Sequence, residues 1–106
     1  MPAPLDPDSV VTIGDVEIDF ARMEVYRGGQ AVPLGQMGRA ILFAVAEARG
    51  RAVPTGKLYS ILWDLPGGVA MESGNRAVDQ HIVRLRKRLG PGVILTVRGY
   101  GWRLNL

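Results

Sequence analysis

A chain of 106 residues, 47% hydrophobic and 22% charged, has the balance of one globular domain and not that of a disordered segment. It contains no cysteine, which excludes disulfides, thiolate metal sites and cysteine nucleophiles, and its single histidine excludes a multi-histidine metal centre. The net charge of +3 is divided unevenly: from Arg76 onward there are seven basic residues and one acid, while residues 1–75 carry a net −3, an asymmetry that points to an anionic partner for the C-terminal part.

The longest apolar run, Ala40 to Ala46, falls far short of the ~20 residues that cross a bilayer. The first residues lack the basic head and apolar stretch of a signal peptide. A cytoplasmic location without a membrane partner is expected. Residues 1–9, rich in Pro and Asp, read as a flexible leader, and residues 10–106 as the folded domain.

From Val10 to Leu34 apolar and polar residues alternate between closely spaced turn signals. Val16, Ile18 and Phe20 follow Gly14-Asp15, while Met23 and Val25 precede Gly28-Gly29. Such spacing predicts three or four short antiparallel strands, with the Gly-Gly pair at a hairpin. The period then changes. Met37, Ala40, Ile41, Ala44, Val45 and Ala48 recur at three- and four-residue intervals, predicting a helix over 36–49 that Gly50 ends. A second helix starts near Pro54-Thr55 and carries Leu58, Ile61 and Leu62 to Trp63, before Asp64-Leu65-Pro66-Gly67-Gly68 breaks the pattern. Asn75 suits the N-cap of a third helix, whose Val78, Ile82, Leu85 and Leu89 form one narrow stripe. Gly90-Pro91-Gly92 stops it. Val93 to Val97, the turn Arg98-Gly99-Tyr100-Gly101, and Trp102 to Leu104 read as a C-terminal hairpin.

On a helical wheel with that stripe inward, Arg76, Gln80, Val83 and Lys87 lie almost opposite, with Arg84 at the edge and Arg86 and Arg88 on the flanks. A charged outer face is compatible with plain solvation. Two features argue for a partner instead. Val83 is an apolar, β-branched residue on the outer face, and the charge there has one sign, without the acid–base pairing that stabilises a free surface helix. Gln and Arg side chains match base edges in a major groove, a valine methyl matches that of thymine, and flanking arginines match phosphates. Arg98, on a glycine-flanked turn, is suited to a narrow minor groove.

The segments Asn75-Arg76-Ala77-Val78-Asp79-Gln80-His81-Ile82-Val83-Arg84-Leu85-Arg86-Lys87-Arg88-Leu89 and Thr96-Val97-Arg98-Gly99-Tyr100-Gly101-Trp102-Arg103-Leu104 closely resemble the OmpR/PhoB winged-helix DNA-binding domain. That family shows an R-T-V-D-x-H-I-x-x-L-R-K-x-L helix and a T-V-R-G-x-G-Y-R wing. The resemblance covers about residues 10–105. It implies an α+β winged helix-turn-helix fold: a short N-terminal antiparallel sheet, three helices and a C-terminal β-hairpin wing. It further implies that Arg76, Asp79, Gln80, His81, Arg84 and Arg86 face DNA, that Thr96 and Tyr100 meet the backbone at the wing, that Arg98 enters the minor groove, and that Trp63 lies beside the DNA backbone.

Three departures from the family stand out. The T-x-x-E-[FY] opening of the first helix is replaced by Gln36, Met37, Gly38 and Arg39, which weakens the cap and removes an acid. The second helix opens on Pro54, Thr55 and Gly56 without acids. The segment from Asp64 to Gly74, which in relatives contacts RNA polymerase, is longer than usual and rich in glycine. A receiver domain does not fit into nine leading residues, so the chain reads as a free-standing winged helix or as a fragment of a longer regulator.

No dinucleotide fingerprint or Walker lysine motif is present, so an enzyme is not expected, nor a cofactor, a metal or a small-molecule ligand. The resulting expectation is a sequence-specific regulator of transcription that binds double-stranded DNA, with homodimers on direct repeats implied by the resemblance. An adaptor docking on RNA polymerase or another regulator is the alternative, and a structured-RNA binder a third.

Overall fold

The first four strands of the computed structural model form one antiparallel meander, β1 (Val10–Ile13), β2 (Val16–Asp19), β3 (Glu24–Arg27) and β4 (Gln30–Ala31), paired in that order. The structure describes residues 9–65 and 74–106, with side chains from Arg76 in the second segment. Alternation places Val11, Val16, Ile18 and Val25 inward, and the register sets Ile18 opposite both Val11 and Val25. Gly28 and Gly29 both adopt positive φ, at 59° and 81°, as the tight β3–β4 turn demands. Met23 departs from the strand expected of it. It sits in the turn before β3 with φ of 54° and is exposed, because buried Asp19 accepts a hydrogen bond from the Arg22 amide at 3.1 Å and tightens that turn.

Helix α1 (Gln36–Glu47) follows. Its buried residues are Ile41, Leu42, Phe43, Val45 and Ala46, a broader face than the stripe read from spacing, in which Met37, Ala40, Ala44 and Ala48 are only half-buried. The reason is its location. On one side Phe20, in the turn after β2, meets Phe43 edge-on at 5.6 Å between centroids, and the other helices and the last strand cover another. A helix sandwiched in this way buries more than a single amphipathic stripe.

The sequence reading contains no counterpart of β5 (Val53–Pro54), which leads directly into α2 (Thr55–Asp64). After α3 (Gly74–Leu89) come β6 (Ile94–Val97) and β7 (Gly101–Leu104). β5 joins β7 to form a three-stranded antiparallel sheet of order β5-β7-β6, and Pro54 is tolerated because β5 is an edge. α3 begins at Gly74, so Asn75 stands inside its first turn and not at the N-cap expected of it, while residues 66–73, most of the irregular segment, lie outside the described residues.

Val78, Ile82, Leu85 and Leu89 are all fully buried, so the stripe read from the sequence is the face α3 turns inward. Two arginines fasten its C-terminal end to the N-terminal sheet. Arg27 on β3 donates to the Arg88 carbonyl at 3.1 Å, and Arg88 donates to the Pro33 carbonyl at 2.7 Å. The architecture is an α+β winged helix.

Candidate nucleic-acid interface

With its stripe buried, α3 must present the opposite face to solvent. Arg76, Asp79, Gln80, Val83, Arg84 and Lys87 are all exposed there, and Val83 is 50% exposed. Arg27 pairs with Asp15, whereas no carboxylate among the described residues pairs with Arg76, Arg84 or Lys87. The ridge therefore combines three unpaired cations, the single carboxylate of Asp79, one amide and one exposed aliphatic side chain. A helix ~10–12 Å across fits a B-form major groove of about 12 Å.

His81 is half-buried on the flank turned toward the start of α1. Desolvation by its surroundings, reinforced by the neighbouring Arg84 guanidinium, holds its imidazole below the usual 6.5.

The structure corrects the reading of the flanking arginines as free cations. The Arg86 guanidinium donates to the Ile94 carbonyl through Nε at 3.1 Å and Nη2 at 3.0 Å, and to Thr96 Oγ1 at 2.8 Å. It is held against β6 in a partly buried position instead of standing out from the helix, because the wheel places it on the side where the wing packs. Arg88 is likewise engaged with the Pro33 carbonyl. Thr96, expected at the DNA backbone, is exposed, and its hydroxyl receives the Arg86 hydrogen bond.

The wing turn is closed by the Tyr100 amide donating to the Val97 carbonyl at 2.9 Å. Arg98 and Tyr100 both project to solvent, Tyr100 with 52% exposure. The tip is anchored on its other side, where the Thr55 amide and hydroxyl donate to the Tyr100 carbonyl at 3.1 and 3.4 Å. Gly101 makes that approach feasible: a Cβ there would land on the Val53 carbonyl oxygen and lie 2.9 Å from the Pro54 Cα. Two braces thus orient the wing, Arg86–Thr96 from α3 and Thr55–Tyr100 from α2. Sequence reasoning missed both Thr55 and the bracing role of Arg86. β5 is only two residues long, Val53–Pro54, and runs straight into α2 at Thr55, too short to register as a strand in the sequence.

Trp63, in the last turn of α2, is 48% exposed and leans on Tyr59, with ring centroids 6.4 Å apart. No helix among the described residues is long and apolar enough to cross a membrane.

Residues 29–104 match the family model described as "Transcriptional regulatory protein, C terminal". The chain is 39% identical over 100 residues to the transcriptional regulatory protein CseB of Streptomyces avermitilis, covering 93% of this chain and 41% of that protein. It is 31% identical to the DNA-binding response regulator MtrA of Mycolicibacterium smegmatis over 92% of this chain and 43% of that protein. It therefore spans 41–43% of the length of those relatives. Among solved structures it is similar to the response regulator DrrB of Thermotoga maritima, an OmpR/PhoB homolog, with a TM-score of 0.76 and 29% identity over 92% of this chain and 45% of that one. It is also similar to the Klebsiella pneumoniae RstA DNA-binding domain in complex with RstA box, with a TM-score of 0.68 and 29% identity over 90% and 95% of the two chains. The matched span, the winged-helix architecture and the exposed α3 ridge agree: the chain belongs to the family of OmpR/PhoB-type effector domains of transcriptional regulatory proteins.

Proposed function

We propose that this domain is a sequence-specific regulator of transcription that binds double-stranded DNA in the cytoplasm, inserting α3 into the major groove and the wing tip into the adjacent minor groove, without catalysis of its own. The observation that carries this reading is the α3 ridge, where Arg76, Gln80, Val83, Arg84 and Lys87 stand exposed with no described carboxylate paired to the cations. Gln80 and Arg84 are the base readers, through bidentate hydrogen bonds to adenine and guanine respectively, and Val83 contacts a thymine methyl. Arg76 and Lys87 neutralise phosphates, Asp79 accepts from a cytosine amine, and His81 lies at the phosphate edge of the ridge. Arg98 enters the minor groove, where focused negative potential favours a guanidinium, and Tyr100, Thr96 and Trp63 border the sugar-phosphate backbone. Arg86 acts here by positioning the wing.

The DNA complex known for the similar RstA domain supports this reading, as does the family's transcriptional role. Selection from a random duplex pool tests it together with a salt titration. A recovered consensus, with log Kd against log salt sloping by about 0.9 per phosphate neutralised, is the expected result. A flat salt response with no consensus would favour docking on a protein partner.

A further inference from the structure

A recess of about 390 Å³ separates the start of α1 from the flank of α3, lined by Leu34, Gln36, Met37, His81, Arg84 and Arg88. We infer that it is a binding site for a single phosphate group, held between Arg88 and His81 of α3 and the first-turn amides of α1. Where the phosphate is part of a DNA backbone, this rests on the function proposed above.

Three independent features of the recess point the same way. Every ionisable side chain lining it is basic, and no described acid lines it. The exposed Arg88 guanidinium spends one nitrogen on the Pro33 carbonyl and keeps its other donors open among the described residues, while Arg84, which reads a base from the outer ridge, adds positive charge at the rim. A cation cluster of this kind, without a counter-charge, attracts an oxyanion and matches its geometry through the guanidinium fork.

The third feature is the missing acid of α1. Its first turn contains no Asp or Glu and its N-cap Gly35 supplies no side-chain acceptor, so the amides ahead of Arg39, the first to bond back to Gly35, keep their donors open toward the recess. His81 adds a responsive group: its imidazole, kept neutral by burial and by Arg84, takes up a proton when an anion offsets the local positive charge. The same chemistry serves a phosphate of the duplex backbone or one on a free solute.

Gln36→Glu is the discriminating variant. Gln36 is exposed at the mouth of the recess, and an acid in the first turn complements the helix dipole, so the fold is kept and Tm is equal or higher. In one arm, inorganic phosphate is titrated at constant ionic strength while the amide resonances of residues 36–38 and the His81 ring are followed. In the other, duplex affinity is measured across salt. Loss of duplex affinity by several-fold in Gln36→Glu, with a log–log slope shallower by about 0.9, assigns the site to a backbone phosphate. Wild-type shifts with inorganic phosphate that vanish in Gln36→Glu, with duplex affinity unchanged, assign it to a free phosphate compound. No effect of the substitution in either arm overturns the inference. A wild-type domain that binds no duplex sinks the proposed function, and the phosphate arm alone then decides this site.

Discussion

Arg86 and Thr96 stand ten residues apart on two different elements, and Nη2 of the arginine donates to the threonine hydroxyl at 2.8 Å while also reaching the Ile94 carbonyl. A residue that the helical wheel assigns to the flank is thus the strut between helix and wing. The placement matters because groove contacts by α3 and by Arg98 are made in one register only if the angle between the two elements is fixed.

Removing the strut should therefore cost both stability and binding. Arg86→Ala eliminates hydrogen bonds from a charged donor, each worth ~1.5–3 kcal/mol when partly shielded, so a stability loss of about 2 kcal/mol is expected in urea unfolding. Arg86→Lys keeps the charge but not the fork, and should recover less than half. Thr96→Val should cost ~1 kcal/mol. In a double-mutant cycle the two substitutions should couple, and strictly additive losses would show that the contact carries no energy.

Gly101 provides the second brace. No side chain fits there without moving the Val53–Pro54 backbone, so Gly101→Ala has to push β5 off β7 or distort the wing. Overpacking against a backbone that cannot yield destabilises by at least ~2 kcal/mol. Gly99→Ala is the comparison: it faces open space but has φ of 75°, so its expected cost is ~1 kcal/mol of backbone strain. Equal losses at the two positions would mean that the close approach is relaxed in solution.

These braces explain why part of the molecule was legible in its sequence and part was not. Strands β1 to β4 announce themselves through alternation and glycine turns, and the α3 stripe through its period, because those signals are local. The Val78/Ile82/Leu85/Leu89 face is buried as read, and the outer ridge follows from it by geometry. What escapes is set by the third dimension. Leu42, Phe43 and Ala46 are buried because α1 has a neighbour on a second side, β5 exists because β7 lies beside it, and Arg86 is engaged because β6 passes within its reach. No spacing in the chain encodes those meetings, so a flank arginine reads as free until the wing is placed.

His81 makes stability depend on pH with a definite sign. Burial and Arg84 depress its folded pKa below the ordinary 6.5. As pH falls through 6.5 the unfolded chain therefore binds a proton that the folded chain refuses, and stability must decline. The decline continues until pH drops below the folded pKa, where both states are protonated. His81→Gln, which cannot titrate, should flatten the dependence of the urea midpoint between pH 7.5 and 5.5. An equal decline in wild type and variant would assign the acid sensitivity to other groups.

Val83 offers the most direct test of how the α3 ridge reads sequence. An aliphatic β-branched residue at 50% exposure between Gln80 and Lys87 gains nothing from solvent and lowers helix propensity. Against a thymine methyl it would remove about one methyl-sized apolar surface from water, worth ~0.8 kcal/mol or a roughly fourfold change in affinity. Replacing individual thymines of the selected site by uracil deletes that methyl without touching the base-pairing edge. One such position should weaken the wild-type domain about fourfold and leave Val83→Ala indifferent, while Arg84→Ala should relax preference at a different base pair by about 1–3 kcal/mol. If no thymine position distinguishes wild type from Val83→Ala, the valine is a solvated surface residue and the reading of α3 must rest on its polar groups alone.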